Sequence, residues 1–490
     1  MSSVPQSHGQ PHGAEVAQPE SSSGNALPRV REVGWARAIL AGIFWLVSVV
    51  SFSVRLNGFD HDQGAPRTYY ALAHKRDEDP VILLPPLLAH RGWRALLHDV
   101  HFALRWDAFT PGFLTRLAPR PRWFAYLMRN ISLGPALRAL GIHPIDGMHR
   151  TKEGWLQAAL QVDDTITAGA AFTPTALEEL AGTTGEPPDH LRSRPARELF
   201  AWHYRRHLQQ LSGPDLLDVT VRRAAERRVL AMASEQVRDL GDWLWSGGSL
   251  LGAPEGQLSA DGKIGPIIAA LRRLMAVTPL DTRIVPVTMV YDFMTPGRIR
   301  VFVDLGPALD MIAQVPVAGL GTHLRETWLR TARFTSTQLG AGFLLWTNRT
   351  GKGEFSTGEM GQALWALASW LHARERHVDT ELLQQRSATR RARAFLLYAE
   401  RYGLVRRIAS GRWRATPGDV TVRVRMGDVG YRYAPLGYAW NELTDLLSVG
   451  PPPPLGDEEI PVAYIVPLAR WLIEQVSGDS IRTPASHQQA

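Results

Sequence analysis

Leu250-Leu251-Gly252-Ala253-Pro254-Glu255-Gly256-Gln257-Leu258-Ser259-Ala260-Asp261-Gly262, followed downstream by Arg283-Ile284-Val285-Pro286-Val287, decides how this chain is read. An apolar run closed by glycine and a Pro-Glu-Gly turn predicts a strand whose carboxyl end presents one carboxylate. A helix and a second buried strand at Val285-Pro286-Val287 then complete an α/β unit. Open α/β sheets build their sites beyond the carboxyl ends of their strands, which puts Glu255 first among candidate functional residues.

The flanking segments extend the pattern. Arg227 to Ser246 reads as the helix feeding the first strand, and Arg298 to Asp304 alternates as a further strand. The apolar run Asp79-Pro80-Val81-Ile82-Leu83-Leu84-Pro85 suits a central strand, and His143-Pro144-Ile145-Asp146 a strand tip after a helix stopped at Gly141. The predicted class is therefore α/β: a mixed sheet flanked by helices over 59–312, with a helical insertion at 151–225. From 313 to 490 the chain reads as mainly helical. Helices ending near Arg374 and Arg401, then two short strands at 403–407 and 411–415, give a possible winged-helix unit over 378–416.

Composition limits the chemistry. With no cysteine among 490 residues there is no disulfide, no thiolate nucleophile and no cysteine-ligated metal. The histidines are scattered without ligand spacing, so no metal site is expected. A formal charge of +7 attracts lipid headgroups, acyl-CoA phosphates or nucleic acid alike. The first 30 residues, rich in Ser, Gly, Gln and Pro, read as a disordered tail. Residues 38–54 carry no charge between Arg37 and Arg55, which makes 31–58 a membrane anchor or an interfacial helix.

Glu255-Gly256 with Ser259, and the Val285-Pro286-Val287 strand, resemble the third and fourth sequence blocks of the glycerolipid acyltransferase family, which includes lysophosphatidate and glycerol-3-phosphate acyltransferases. The resemblance covers Tyr69 to Leu309 and implies an acyltransferase-like fold. It implies transfer of a fatty acyl group from acyl-CoA or acyl carrier protein to a glycerolipid or related hydroxyl, as in phospholipid biosynthesis. The family's first block is a histidine, four residues and an aspartate directly after a strand, the histidine serving as base and the aspartate orienting it. Beyond the Val81–Leu84 strand no such pair occurs; the nearest candidate is His101 and Asp107, with five residues intervening, and His90, the His98-Asp99 pair or no histidine at all are the alternatives.

The second block resembles Gly141 to Asp146, with Gly147-Met148 where an arginine is usual and Arg150 just beyond. Arg122 stands in a proline-arginine-aromatic run. The implied substrate-binding set is Glu255, Gly256, Ser259, Asp146, Arg150 and Arg122. Gln257-Leu258 replaces the family's Thr-Arg, which removes a phosphate grip. No cofactor is implied beyond the acyl donor as co-substrate. The implied partners are the acyl donor, the lipid acceptor and a membrane surface, with the catalytic domain on its cytoplasmic side. Two other readings stand beside this one: a catalytically silent lipid-binding protein on the same fold, and, ranked last, a membrane-anchored winged-helix regulator binding nucleic acid.

Overall fold

The computed structural model describes residues 34–62, 64–76, 79–91, 100–105, 132, 134–139, 141–145, 152–200, 204, 208, 217–255, 261–267, 269–310, 319–351, 353–417, 422–424, 431–433, 435–449 and 465–479. The chain is an α/β protein built on a mixed sheet flanked by helices. Its strands are β1 (Phe52–Asn57), β2 (Thr68–Leu72), β3 (Val100–Arg105), β4 (Ile142–Ile145), β5 (Ser249–Gly252), β6 (Arg283–Asp292) and β7 (Ile299–Leu305), in the order β1-β7-β6-β2-β5-β3-β4. A two-residue strand, β8 (Leu309–Asp310), pairs the start of β6. From β6 to β4 neighbouring strands run parallel, whereas β7 opposes β6 and carries β1 parallel to itself.

β6 is buried along nearly its whole length, which explains its largely apolar sequence: a central strand covered on both faces needs no polar alternation. Beside it, β2 (Thr-Tyr-Tyr-Ala-Leu) is buried throughout and made of residues that suit a pleated surface. The expected strand at 79–85 is corrected here. Asp79–Arg91 forms a helix, α2, and the strand before it is β2. A short apolar run bounded by prolines fits a buried strand and a buried helix equally. Pro80 in the first turn gives up an amide that has no intrahelical partner, and Ile82, Leu83, Leu84 and Leu87 go into the core. Likewise β3 is a strand where the sequence mixes helical spacing with breaks.

Helix α1 (Gly34–Ser51) runs straight into β1. A separate apolar cluster holds Leu156, Leu177, Leu191, Leu199 and Ala225. The 27-residue helix α3 (Val219–Trp245) bridges both cores, with Val229 in that cluster and Leu240 and Leu244 under the sheet. Past the sheet come α4 (Leu320–Thr331), α5 (Ser336–Arg349), the short strand β9 (Phe355–Ser356), α6 (Thr357–His372), α7 (Gln385–Arg401), β10 (Val405–Ala409) and β11 (Arg412–Ala415). The three strands form a small antiparallel sheet in the order β10-β11-β9. Two later helices, α8 (Pro435–Leu447) and α9 (Ile465–Asp479), return onto α5. Apolar side chains of α5 to α9 join the cluster beneath the main sheet, so the C-terminal helices share the sheet's core.

Among the described residues no helix is long and apolar enough to cross a membrane.

Candidate active site

The parallel register aligns Ala71 of β2 with Gly252 of β5. His74 therefore lies just beyond the carboxyl end of one strand and Glu255 just beyond the carboxyl end of its neighbour, where open α/β sheets carry their sites. His74 Nδ1 is 3.0 Å from Asp79 Oδ2. The same oxygen accepts the backbone N–H of Lys75 at 2.7 Å and of Arg76 at 3.0 Å. Tyr291, near the end of β6, donates its hydroxyl to Asp79 Oδ1. Asp79 is fully buried, yet these donors satisfy it as a carboxylate. An ionised Asp79 can only accept, so Nδ1 of His74 carries its proton and Nε2 keeps the lone pair. The imidazole retains 14% of its side-chain exposure, enough to meet a substrate at the surface of the site.

Glu255 braces this arrangement. One carboxylate oxygen accepts the backbone N–H of His74 at 2.8 Å, and the other accepts that of Gly265 at 2.6 Å. It is 2% exposed. Burial pushes its pKa up to about 7, against the opposing pull of the His74 and Gly265 amides and the Lys75 ammonium. The consequence for stability has a definite sign. Below its ordinary value of 4.5 the group is neutral in folded and unfolded chains alike, whereas above about 7 the fold must bury a charge. Stability is therefore lost as pH rises through that window. The urea midpoint of the native protein is expected to fall from pH 5 to pH 8 more steeply than that of Glu255→Gln. Equal slopes in the two proteins would rule out the buried titration.

His74, four residues and Asp79 directly follow a strand, which is the spacing of the family's first block. The signal was in the sequence: His74-Lys75-Arg76-Asp77-Glu78-Asp79. A reading that sets the strand at 79–85 looks for its histidine downstream and passes over one that precedes the run.

His101 sits elsewhere. It is the second residue of β3, level in register with Leu250, and Leu250 is level with Tyr69. Five residues of chain at about 3.3 Å each, roughly 16 Å, separate that level from His74. His101 is 5% exposed, with Nδ1 2.7 Å from His143 Nε2 and its ring stacked on Trp243 at 3.5 Å. The structure thus gives His101 a packed position near the amino end of its strand. His90 reaches the Asp62 carbonyl at 3.0 Å through Nε2. Asp107, Asp146, Arg150, Arg122, Gly256 and Ser259, together with the rival His98-Asp99, lie outside the described residues.

Further side chains at this edge escaped the sequence reading. Lys75, 8% exposed, donates through Nζ to the Gly262 carbonyl at 2.8 Å and to Glu442 of α8 at 3.0 Å. Burial, the largest single influence, lowers the Lys75 pKa, but Glu442, Tyr438 and Glu255 together overcome it and hold the ammonium above its ordinary value. The Arg76 guanidinium lies 4.6 Å from the Tyr291 ring centre and 5.3 Å from that of Phe293, within cation–π range. Among the described residues no group of three or more His, Cys, Asp or Glu could hold a metal ion. No protein-family model matches this chain, and no curated protein matches it.

Proposed function

We propose that the protein is a membrane-associated O-acyltransferase that moves a fatty acyl group from a thioester donor to a lipid hydroxyl, with His74 as general base. The observation that carries this reading is the His74–Asp79 pair just beyond the carboxyl end of β2, at the family's spacing and braced by Glu255. Three of the resembling blocks meet there: the His-Asp pair, the Glu-Gly turn through Glu255, and the Val-Pro-Val strand β6 through Tyr291. In the reaction His74 Nε2 removes the acceptor's hydroxyl proton as its oxygen attacks the thioester carbonyl. The tetrahedral intermediate collapses with cleavage of the C–S bond, and the imidazolium returns the proton to the departing thiolate. Asp79 fixes the tautomer and stabilises the imidazolium between these steps.

The test is acyl transfer by the detergent-solubilised full chain, with labelled palmitoyl-CoA and a panel of lysophospholipid, glycerol-phosphate and neutral-alcohol acceptors. Acceptor-dependent product is expected. Saturable acyl-CoA binding with no product from any acceptor would favour the silent lipid-binding reading.

Helix α1 supports membrane association. Ile39, Ile43, Leu46 and Val50 are 56%, 51%, 57% and 64% exposed. At helical spacing they share one stripe. Ser48, on the opposite side, is buried at 3%. An apolar stripe facing away from the protein with a serine facing in suits the headgroup–acyl boundary of a bilayer. Replacing Ile43 and Leu46 by aspartate removes apolar contacts of about 1.5–3 kcal/mol each, so vesicle binding is expected to weaken at least tenfold. Co-sedimentation of the full chain with phosphatidylglycerol vesicles measures this. Unchanged binding by the folded variant would refute the role of α1.

The order α5, β9, α6, α7, β10, β11, with β11 between the other two strands, supports the winged-helix element of the third reading. Arg386, Arg390, Arg393 and Arg401 lie on the side of α7 opposite Ala388, Ala392, Phe395 and Ala399. Arg390 is partly neutralised by Glu381 at 3.4 Å, Arg407 by Glu400 at 2.9 Å and Arg414 by Glu354 at 2.7 Å. This pairing leaves acyl transfer the better supported reading. Duplex DNA binding that falls steeply with salt, in a protein without acyl transfer, would reverse the ranking.

A further inference from the structure

The loop that carries His74 is tied to a helix far away in sequence. Lys75, the next residue, holds Asp79 Oδ2 through its backbone N–H at 2.7 Å and Glu442 of α8 through its ammonium at 3.0 Å. The other Glu442 oxygen accepts the Gln338 side-chain amide of α5 at 2.6 Å. Both members of the ion pair are buried, Glu442 at 3% exposure. A buried pair satisfied on both sides fixes geometry because neither partner has water as an alternative.

Helix α8 also grips the second loop of the site. Asp445 accepts the Ile264 N–H at 2.8 Å, and Asn441 donates to the Asp261 carbonyl at 3.1 Å. Between them Gly262 has φ of +93°, and a Cβ there would come within 2.4 Å of the Tyr438 carbonyl. The position requires glycine both for its backbone conformation and for the close approach of α8. The clamped segment includes Gly265, whose N–H holds Glu255, and Glu255 in turn holds His74. Two routes thus run from α8 to His74: one through Lys75, the other through the 261–265 loop and Glu255.

We infer that Glu442 is a positioning residue for the His74–Asp79 pair, acting through Lys75, so that the C-terminal helix α8 is part of the site. This rests on the acyl-transfer reading for its kinetic test, but not for its structural one. Glu442→Gln keeps the shape and removes the charge that anchors Lys75. Misplacing a reacting group by about 1 Å costs up to about a hundredfold, so kcat is expected to fall about 10- to 100-fold, with KM for donor and acceptor within about twofold. The double variant Lys75→Met/Glu442→Leu removes both buried charges together, and its melting temperature is expected to return toward the native value while kcat stays low. Native kcat in Glu442→Gln, or recovery of kcat together with Tm in the double variant, would overturn the inference.

A substrate-free arm separates this from the acyl-transfer reading. In the full chain labelled at histidine Cε1, the His74 resonance is identified by its loss in His74→Ala. Glu442→Gln is expected to move its chemical shift and titration. An unmoved resonance overturns the positioning role whatever the kinetics. A moved resonance in a protein with no acyl transfer upholds it and overturns only the proposed reaction.

Discussion

His74→Ala is expected to lower the kcat of acyl transfer about a thousandfold, the middle of the range for loss of a general base, while His101→Ala leaves it within a few-fold. The contrast follows from what each ring touches. His74 has one nitrogen oriented by a buried carboxylate and the other left as a base, at the carboxyl edge of the parallel strands. His101 spends Nδ1 on His143 and a ring face on Trp243, at the amino end of β3. Its replacement opens a void beneath Trp243 and is expected to cost about 1–3 kcal/mol of stability, visible in a melting curve rather than in turnover of the folded enzyme.

Asp79→Asn is expected to resemble His74→Ala. An asparagine oxygen at the Oδ2 position still accepts from the Lys75 and Arg76 amides and from His74 Nδ1, with its NH2 turned toward Tyr291, so the tautomer is kept but the negative charge that stabilises the imidazolium is lost. Single-turnover kinetics with palmitoyl-CoA and the preferred acceptor measure all three variants. Full activity in His74→Ala with loss in His101→Ala would restore the first assignment and remove His74 from the chemistry.

Which histidine stands at the site depends on where one strand lies. Strands β5, β6 and β7 were legible because each carries a period or an apolar run bounded by turn residues, and the sheet class followed from them. β2 is only five residues long and is overshadowed by the stronger apolar run that follows. That run is α2, and length and proline position could not separate the alternatives. With that run read as a strand, His74 precedes it and falls outside the stretch in which a base is sought. Glu255 was legible from its turn, but its role was not. The sequence reading has it meet a substrate, whereas both its oxygens accept main-chain amides from loops on either side. The contribution of α8 was illegible for a different reason: Lys75 and Glu442 are 367 residues apart, and no local pattern pairs them.

The same kind of long-range contact governs how firmly the C-terminal region sits on the sheet. Asp292→Ala is expected to destabilise the folded protein by about 3–5 kcal/mol, the cost of breaking a buried ion pair from one side. Asp292 ends β6 and is fully buried. Its oxygens accept the Ser336 hydroxyl at 2.8 and 2.9 Å, the Thr337 N–H at 2.9 Å and the Thr337 hydroxyl at 2.7 Å. These donors form the first turn of α5, where a negative charge also meets the positive end of the helix dipole. Arg391 of α7 pairs with the same carboxylate, and Arg300 of β7 approaches it at 3.4 Å.

Removing the carboxylate strips α5 of this cap and leaves a half-buried guanidinium on α7 without its acidic partner. Arg300 is less exposed to the change, because Asp379 holds it in a two-pronged pair at 2.8 and 2.9 Å. The loss should therefore concentrate on Arg391, and Asp292→Ala/Arg391→Leu is expected to recover part of it. Urea unfolding of the native, single and double variants measures the three values. A single-variant loss below about 1 kcal/mol would mean that water replaces the carboxylate and that the sheet and α5 are held by their shared apolar core rather than by this charge. A loss of the expected size would make Asp292 the polar lock between them, and thus the support on which α8 reaches Lys75.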